Sequence, residues 1–331
     1  MLLVRVETDT GVVGYGDAFC YECRPAVQAA MEQMIAPRAI GQDASKITSL
    51  MQNLQNDLHI FGRYGILMFA MSGLDIALWD IAGKNVGAPL HDLLGGAAHD
   101  RIPAYASLFR YRDPEIVASK TQDALDQGYK YIKLHERYVP EVKAARDVAG
   151  PDIPIMIDTN CPWTPDEARQ NALLLKPYNP YWLEEPVFPP ENFSGLAQVQ
   201  SATGVPIAAG ENACTAYEFR AMFAANAVTY AQPSVTKVGG VTEFRKVAAM
   251  AQMANVTLVP HSPYFGPGLL ATLHLMIAQP EPPLIERYFL DLEASLYGDL
   301  INTVDGYFTA PTTPGVAPEP DPNVLRDYAA K

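Results

Sequence analysis

The chain has 331 residues, of which 49% are hydrophobic and 18% charged, so it is too apolar for a disordered protein and long enough to bury one large core or two smaller ones. Its 24 basic and 37 acidic residues give a net charge of −13. A groove for nucleic acid needs clustered Lys and Arg side chains, which the sequence lacks, so we expect no nucleic-acid partner.

The cysteine content indicates a reducing compartment. Four cysteines are few for this length, and Cys20 and Cys23 form a lone C-x-x-C pair without the second pair that a zinc site needs. The N-terminal residues lack the pattern of a signal peptide, and no uninterrupted apolar run reaches the roughly 20 residues needed to cross a bilayer. We therefore predict a soluble, cytoplasmic protein without a membrane partner.

The N-terminal third combines a short hairpin with a helical region. Residues 2–7 alternate as a strand does, Asp9–Gly11 favours a turn, and the residues that follow return as a second strand. A mostly helical region covers about residues 25–95, and its segment Phe69–Lys84 is apolar all round, which predicts a buried helix. We assign residues 1–100 to one domain.

From about residue 102 the pattern changes to short apolar runs separated by helical patterns. Strands that alternate with helices indicate a parallel sheet, and eight such units fit a closed (β/α) barrel, with an open doubly wound sheet as the alternative. We place the barrel in residues 101–290 and expect the Pro-rich residues 291–331 to pack on the N-terminal domain. The eight runs are Ile102–Phe109, Tyr129–His135, Ile153–Asn160, Tyr181–Pro186, Ile207–Asn212, Tyr230–Lys237, Thr257–Pro263 and Leu284–Phe289.

Three neighbouring runs end in acidic residues, at Asp158, Glu184 and Glu211. Because the C-terminal ends of parallel barrel strands meet on one face, we expect these carboxylates to lie within a few ångströms of one another. Like charges at such a short distance are unfavourable unless a cation lies between them. Oxygen ligands favour Mg²⁺, with Mn²⁺ as the alternative. The competing interpretation is that each carboxylate caps a helix or pairs with an arginine.

Basic and titratable side chains end other runs. Lys133 and His135 point to the same, inward side because side chains alternate along a strand, and His261 ends the apolar part of the seventh run. A divalent cation disfavours the charged form of a nearby lysine, so we expect the pKa of Lys133 to be lowered toward the range of a general base. Taken alone, a histidine such as His261 is more often structural than catalytic. Together at the mouth of the barrel, Lys133, His135 and His261 predict acid–base chemistry.

Taken in order, these motifs resemble the enolase superfamily, in its mandelate racemase / muconate lactonizing enzyme family, over nearly the whole chain. Gly11–Asp17 and Ser72–Asp80 also resemble the capping domain of that family. The barrel motifs that carry the resemblance are Lys133-x-His135, Asp158-x-Asn160, Trp182–Pro186, Gly210–Asn212, Lys237-x-Gly239-Gly240, His261 and Glu286.

The resemblance implies an α/β fold, a (β/α)₇β modified TIM barrel, with an α+β capping domain formed by the N-terminal region and the C-terminal tail. It further implies that Asp158, Glu184 and Glu211 bind Mg²⁺. The substrate is then a small-molecule carboxylate whose α-proton is removed to give a metal-stabilised enediolate.

The same resemblance distributes catalytic roles. Lys133 and His135 serve one face of the substrate and His261 the other. Glu286, if protonated, donates a hydrogen bond to the enediolate, and Asn160 contacts the substrate. Relatives commonly form symmetric oligomers, so we expect a homo-oligomer.

Three departures from the family pattern affect these expectations. His135 stands where many relatives have a lysine, which keeps a base but shifts the substrate class. Ser234 stands where relatives have an aspartate that orients the histidine of the seventh run, so we expect His261 to lack a carboxylate partner, with a lower pKa and a less fixed tautomer. Relatives usually have a further strand before Met1, and we expect the cap to lack that first strand.

The outcome of the reaction depends on the acid that acts after the α-proton has been removed. Without its aspartate, His261 is better suited to protonate a leaving hydroxyl, which predicts dehydration of a sugar acid. The alternatives are a racemase or epimerase, a cycloisomerase with Lys237 as an acid–base group, and a metal-binding relative without turnover. A flavin- or phosphate-binding barrel lacks a supporting glycine-rich segment. Lys237 is also assigned to substrate binding. The loop Phe19–Arg24 is expected to contribute to substrate specificity. The sequence does not identify the particular acid that is the substrate.

Overall fold

The computed structural model describes residues 1–281 and 284–329. Its strands form one antiparallel hairpin and one sheet of nine strands. In chain order they are β1 (Leu2–Glu7), β2 (Val13–Ala18), β3 (Arg101–Ser107), β4 (Ile132–Leu134), β5 (Ile155–Asp158), β6 (Pro180–Glu184), β7 (Ile207–Ala209), β8 (Tyr230–Ala231), β9 (Thr257–Leu258), β10 (Ile285–Tyr288) and β11 (Tyr307–Thr309).

The α-helices lie in the N-terminal region, between the barrel strands and at the C-terminal end. They are α1 (Arg24–Ala30), α2 (Ala36–Ala39), α3 (Ile47–Asp57), α4 (Ile66–Val86), α5 (Leu90–Leu93), α6 (Pro114–Asp126), α7 (Val139–Ala149), α8 (Pro165–Leu175), α9 (Phe193–Thr203), α10 (Thr215–Ala224), α11 (Gly240–Met253), α12 (Pro267–Ile277) and α13 (Pro322–Tyr328). A π-helical turn (Met31–Ile35) and 3₁₀ turns at His59–Phe61, Lys176–Tyr178 and Gly298–Ile301 complete the helical segments of the described residues.

Strands that follow one another along the chain are neighbours in the barrel. The order is β10-β3-β4-β5-β6-β7-β8-β9, and helices α6 to α12 connect successive strands. The last strand, β10, is parallel to the first, β3, and Ser262 beyond β9 donates its backbone N–H to Glu286 of β10 over 3.0 Å. This is the predicted (β/α)₇β arrangement. An open doubly wound sheet is excluded because its strand order would reverse.

Each predicted run overlaps one barrel strand, but the strands end earlier than the runs do. Strands β8 and β9 have only two residues each. Pro233 and Pro260 lie in the corresponding runs, and proline has no N–H with which to continue a ladder. Consequently polar residues that the sequence places on strands, such as Glu211, lie on the loops just beyond them.

The cap packs on the barrel through helix α4. Strand β2 approaches α4 so closely that a Cβ atom on Gly16 would lie 1.9 Å from the carbonyl oxygen of Gly73, so only glycine fits there. On another face of α4, Ser72 Oγ accepts from Gly239 N over 2.9 Å, and Asp75 Oδ1 accepts from a backbone N–H of α11 over 3.0 Å. The cap helix is thus anchored to the loop that follows β8.

The apolar character of α4 is explained by burial. By length and composition this helix could span a membrane, but 78% of its most apolar window is buried inside the protein. The predicted buried helix is therefore confirmed, with the limits Ile66–Val86 in place of Phe69–Lys84.

The C-terminal tail returns to the cap. Leu90 N donates to the carbonyl oxygen of Gly315 over 2.8 Å, and Val316 N donates to Asp80 Oδ1 over 2.7 Å. Strand β11, which the sequence analysis did not predict, pairs antiparallel with β3. The domain limits at residues 100 and 290, and the lack of a further cap strand, stay predictions.

Candidate active site

Three carboxylates converge at the C-terminal face of the barrel. Asp158 ends β5, Glu184 ends β6 directly beside it in register, and Glu211 follows β7. One oxygen atom from each lies within 4.8 Å of the other two, close enough to hold a metal ion. The predicted convergence therefore occurs, and none of the three carboxylates pairs with an arginine within the described residues.

Lys133 bridges this cluster from below. Its Nζ atom lies 3.2 Å from Asp158 Oδ2, 3.0 Å from Glu184 Oε1 and 2.9 Å from Glu286 Oε1, and its side chain is fully buried. Burial alone would lower the pKa of Lys133, but its carboxylate partners outweigh burial and hold the pKa well above its usual range. The lowered pKa is expected from a divalent cation beside Lys133, so that expectation stays a prediction.

The cluster still carries an excess of negative charge. Burial and the Asp158 carboxylate raise the pKa of Glu184 well above its usual range. Asp158 shows the opposite direction, because Lys133 and His135 outweigh burial and lower its pKa. A carboxylate whose charged form is disfavoured by carboxylate neighbours marks a position where a cation is stabilised. The all-oxygen donor set fits a hard divalent ion.

Glu286 is an acceptor rather than a donor. Its two carboxylate oxygens accept from Lys133 Nζ and from Ser262 N, over 2.9 and 3.0 Å. Burial raises the pKa of Glu286, but the Lys133 ammonium group outweighs burial and the pKa is lowered. The adjacent lysine stabilises the anion of Glu286, and the hydrogen bond that a protonated Glu286 would donate to the enediolate stays a prediction.

His135 lies at one side of the carboxylates. Its Nδ1 donates to the carbonyl oxygen of Leu108 over 2.5 Å, and its Nε2 lies 3.2 Å from Asp158 Oδ2. Burial lowers the pKa of His135, but the Asp158 carboxylate outweighs burial and the pKa is raised. Because the carbonyl oxygen can only accept, Nδ1 keeps its hydrogen and Nε2 is the atom that gains or loses a proton.

His261 lies at the other side of the carboxylates. Its Nε2 is 3.0 Å from Glu211 Oε2, and its Nδ1 is 3.3 Å from the hydroxyl oxygen of Tyr264. That hydroxyl also contacts Ser234 Oγ in a short hydrogen bond. The expected lack of a carboxylate partner is correct for Nδ1 but wrong for the ring as a whole. Tyr264 takes the place of the aspartate, a residue that the sequence analysis missed.

Glu211 is held ionised by its neighbours. Burial raises its pKa, but the His261 ring and the Lys237 ammonium group outweigh burial and lower the pKa to about 2. The next carboxylate, Glu185, behaves differently: burial and the charge of Glu211 raise its pKa to about 8. Glu185 is a site residue that the sequence analysis missed, although it is the second acid of Glu184-Glu185.

Asn160 is positioned by protein groups at the mouth. Its Nδ2 donates to Asp158 Oδ1 over 2.8 Å, and its Oδ1 accepts from Arg110 over 2.6 Å. Arg110 also donates through Nε to the carbonyl oxygen of His135 over 2.5 Å. Arg110 was missed, although it lies three residues beyond β3, where barrel proteins carry functional groups. Asn160 is exposed, so its predicted contact with substrate stays a prediction.

Lys237 lies beneath the cap, close enough to Glu211 to lower the pKa of that carboxylate. Its Nζ atom is 4.8 Å from the ring centre of Phe19 and 5.9 Å from that of Phe69, both from the cap, and 3.5 Å from Asn212 Oδ1. This cation–π arrangement ties the loop after β2 to the barrel. These contacts give Lys237 a structural role, while its predicted substrate contact and acid–base role stay predictions.

A barrel with three convergent carboxylates, flanked by two histidines, defines a class of protein built for metal-assisted acid–base chemistry. Comparisons with known families agree with this class. Residues 1–95 match the mandelate racemase / muconate lactonizing enzyme N-terminal domain, and residues 117–324 match the enolase C-terminal domain-like family. The chain belongs to the mandelate racemase / muconate lactonizing enzyme family of the enolase superfamily, as the motifs indicate.

Individual relatives differ in their named reactions. The arabinonate dehydratase of Saccharolobus solfataricus is 30% identical, over 100% of this chain and 91% of the relative. The 3,6-anhydro-alpha-L-galactonate cycloisomerase of Streptomyces coelicolor is 33% identical, over 95% of this chain and 87% of the relative. A crystal structure of a racemase from Streptomyces coelicolor with bound magnesium superimposes with a TM-score of 0.87 at 30% identity, covering 99% of this chain and 91% of that one.

Proposed function

We propose that this protein is a Mg²⁺-dependent sugar-acid dehydratase, which removes the α-proton of a carboxylate substrate and expels the β-hydroxyl group. The observation that carries the proposal is the placement of two histidines on opposite sides of one carboxylate cluster. His135 Nε2 contacts Asp158 over 3.2 Å, and His261 Nε2 contacts Glu211 over 3.0 Å. One histidine can therefore take a proton while the other gives one.

Asp158, Glu184 and Glu211 are the residues that would hold the ion. Their oxygen ligands and mutual distances fit Mg²⁺, with Mn²⁺ as the alternative. When bound, the ion supplies stabilisation of the negative charge that develops on the substrate carboxylate as the α-proton leaves. Lys133 supports this arrangement by neutralising part of the buried negative charge, and Glu286 holds Lys133 in place.

His135 is the base of the proposed reaction. Because Nδ1 donates to the Leu108 carbonyl oxygen, the ring gains and loses its proton at Nε2. Once Nε2 has lost the hydrogen that it directs at Asp158, its free electron pair accepts the α-proton of the substrate. The carbon–hydrogen electron pair then becomes the enediolate. Lys133 serves the same face of the substrate as His135, and its three carboxylate contacts position its Nζ atom there.

His261 is the acid of the proposed reaction. The electron pair of the enediolate forms a new carbon–carbon double bond, and the β carbon–oxygen bond breaks. The protonated ring of His261 donates from Nε2 to the departing oxygen, which leaves as water. The resulting enol converts to a 2-keto acid, so atoms and charges balance without an oxidant or reductant.

Incubation in D₂O with Mg²⁺ and a panel of aldonic and aldaric acids tests the proposal. We expect one acid to lose water to a 2-keto acid, detected as its semicarbazone, and recovered substrate to carry deuterium at the α-carbon. Exchange with inversion and no water loss would replace dehydration by epimerisation. Mg²⁺ binding without exchange on any acid would contradict enzymatic function and favour a metal-binding relative.

Cycloisomerisation is the second candidate, because a relative with that name is 33% identical over 95% of this chain. It would use the same base and a ring oxygen as the leaving group, so the product assay on a lactone or anhydro-sugar acid separates it from dehydration. We also propose a cytoplasmic location, which the four free thiols support, and a homo-oligomer.

A further inference from the structure

A cleft with a volume of about 540 Å³ lies between the cap and the barrel, a size typical of small-molecule sites. Helix α3 and the turn that follows it form the cap side, and helices α10 and α11 form the barrel side. The carboxylates and histidines of the active site do not line this cleft. Its polar lining includes Gln52, Asn56, His59, Arg63, Tyr217 and Lys246.

Arg63 is a cation of this cleft whose orientation is fixed. Its Nε and Nη2 atoms donate to Gln55 Oε1 over 3.0 and 2.8 Å. Its guanidinium group also lies over the Tyr217 ring, 5.4 Å from the ring centre. A guanidinium group that is stacked and held along one edge is preorganised to bind a planar anion along another edge.

The Gln55 side chain is itself fixed by buried contacts. It is only 3% exposed, and its Nε2 atom donates to Glu243 Oε1 over 3.4 Å. Glu243 is also buried, accepts from Ala216 N over 3.0 Å and pairs with Lys246. Because a carboxylate only accepts, the amide nitrogen of Gln55 must face Glu243, and its oxygen must therefore face Arg63.

The outer edge of the Arg63 guanidinium group is left for a ligand. Gln55 accepts two of the five N–H groups, and the three that remain lie on Nη1 and Nη2, the pair that binds a carboxylate as a fork. No carboxylate pairs with Arg63 in the part of the chain that the structure describes. Since Glu243 balances Lys246, Arg63 gives the cleft a net positive charge in a chain whose total charge is −13.

Helix α3 supplies uncharged polar groups beside this cation. Gln52 Nε2 donates to Asn56 Oδ1 over 2.9 Å, so among the described residues Gln52 Oε1 remains as an acceptor and Asn56 Nδ2 as a donor. A hydroxyl group both donates and accepts, so it can pair with both of these atoms. Phosphate offers chiefly acceptor oxygens, which match the amide nitrogen but not the amide oxygen.

We propose that this cleft is a second binding site, separate from the active site, for a small hydroxy acid. The carboxylate of the ligand binds the outer edge of Arg63, and its hydroxyl groups pair with Gln52 and Asn56. Because the cleft lies between the cap and the barrel, the ligand joins these two parts of the molecule. The site does not depend on the proposed reaction, since none of its residues takes part in that reaction.

NMR of the Asn56 side-chain amide tests the site in the Mg²⁺-loaded protein. The signal is assigned by its loss in Asn56→Ser and is followed during titration with D-gluconate, sorbitol or inorganic phosphate. We expect a saturable shift with gluconate, and binding at least about tenfold weaker for sorbitol, which has the hydroxyl groups but no carboxylate. Phosphate should bind more weakly than gluconate. The proposal is overturned by no shift with gluconate, by equal binding of sorbitol, or by phosphate binding as tight as that of gluconate.

Variants of Arg63 test where the carboxylate binds. We expect Arg63→Gln to raise the Kd of gluconate, measured at Asn56, at least about tenfold because the charged fork is lost. Arg63→Lys keeps the charge without the fork and should have an intermediate Kd. Arg220→Gln is the matched control, since Arg220 lies 4.9 Å from the centre of the same Tyr217 ring but does not line the cleft. Equal Kd values in Arg63→Gln and Arg220→Gln would contradict the proposed site.

A variant of the active site separates this proposal from the proposed function. His135→Asn removes the proposed base, and we expect it to leave the Kd of gluconate at Asn56 within about twofold, as for distant and independent sites. Loss of the Asn56 shift in His135→Asn would mean that the signal reports binding at the active site, which would overturn the second site.

Discussion

His135 and His261 stand on either side of the same carboxylates, yet their second ring nitrogens are held by different kinds of groups. Nδ1 of His135 faces the carbonyl oxygen of Leu108, and Nδ1 of His261 faces the hydroxyl of Tyr264. A carbonyl oxygen only accepts, whereas a hydroxyl both donates and accepts. The backbone therefore sets the role of His135, and side chains set the role of His261.

This difference separates a hydrogen bond that side-chain substitutions leave in place, at His135, from one that they can alter, at His261. A side-chain substitution near His135 leaves the Leu108 carbonyl in place, so the base survives. A substitution at Tyr264 or Ser234 changes or removes the side-chain hydrogen bonds on the Nδ1 side of His261. The reaction can therefore change on the His261 side while proton abstraction on the His135 side is retained.

The largest expected effect comes from removing what the two histidines share. Glu211→Gln keeps the shape of the ligand but removes its charge, and the ion should bind more weakly because one of three anionic ligands is lost. We expect kcat/KM to fall about 10³-fold or more, since the ion contributes several kcal/mol to the transition state. Calorimetric titration with Mg²⁺ and a turnover assay measure the two effects.

Glu191→Gln, at an exposed loop position, is the matched control and should retain both properties. If Glu211→Gln binds Mg²⁺ and turns over substrate as well as the control does, the carboxylate cluster is not the metal site. The two histidines would then no longer be linked by a shared metal site.

The next largest effect separates the two histidines directly. His135→Asn should lower both α-proton exchange and product formation by about 10²- to 10⁴-fold, the range for a general base. His261→Asn should lower product formation by a similar factor and leave exchange nearly intact, because its base is untouched. Deuterium incorporation by mass spectrometry and the 2-keto acid assay measure the two steps, and identical profiles for both variants would break the comparison.

A smaller effect is expected from the group that supports the His135 side. Arg110 donates to the carbonyl oxygen of His135 and to the Asn160 side chain, so Arg110→Gln loosens the loop that carries the base. Because groups that orient a metal site cost about 10–100-fold when removed, we expect a loss of about tenfold in kcat/KM. Arg326→Gln, which changes an exposed arginine of α13, should have no effect, and equal kinetics in both variants would contradict the positioning role.

The carboxylate side could be predicted from the sequence because its geometry follows from the fold. Asp158 and Glu184 end consecutive parallel strands, so their convergence follows from strand alternation and barrel closure alone. Lys133 and His135 share one face for the same reason. Each of these residues lies within two or three positions of a strand end, so the strand pattern alone predicts where it lies.

The His261 side could not be predicted because its partners depend on loop conformation. Tyr264 lies three residues beyond His261 in a segment without strand or helix periodicity, and its hydroxyl returns to the ring through the loop path. The protonation of Glu286 is likewise not given by the sequence pattern, because it depends on the distance from a buried lysine. Contacts of this kind are set by tertiary packing rather than by spacing.

A second pair of imidazoles, His91 and His274, lies outside the active site. At the junction of cap, barrel and C-terminal tail, His274 Nε2 donates to the carbonyl oxygen of Val316 over 3.1 Å, and its Nδ1 lies 2.9 Å from His91 Nδ1. Since Val316 fixes the hydrogen on Nε2, His274 Nδ1 accepts from His91. Burial, together with the neighbouring His91, lowers the pKa of His274 to about 3.

This pair should make the fold sensitive to acid, which is the smallest of the expected effects. The pKa of His274 is about 3 when folded and about 6.5 when unfolded, so between these values the unfolded chain binds the extra proton and stability falls as pH falls. We expect His274 to contribute up to about 1.4 kcal/mol per pH unit below pH 6, measured by urea denaturation from pH 7.5 to 5. The amide nitrogen of His274→Gln reaches about as far as Nε2 and can donate to Val316, whereas that of the shorter His274→Asn falls short of it. The two variants should therefore differ in stability at pH 7.5, yet both lose the contribution of the imidazole. If either variant keeps the wild-type dependence of unfolding free energy on pH, protonation of His274 does not destabilise the fold. The effect of hydrogen-bond partners on histidine protonation would then be limited to His135 and His261.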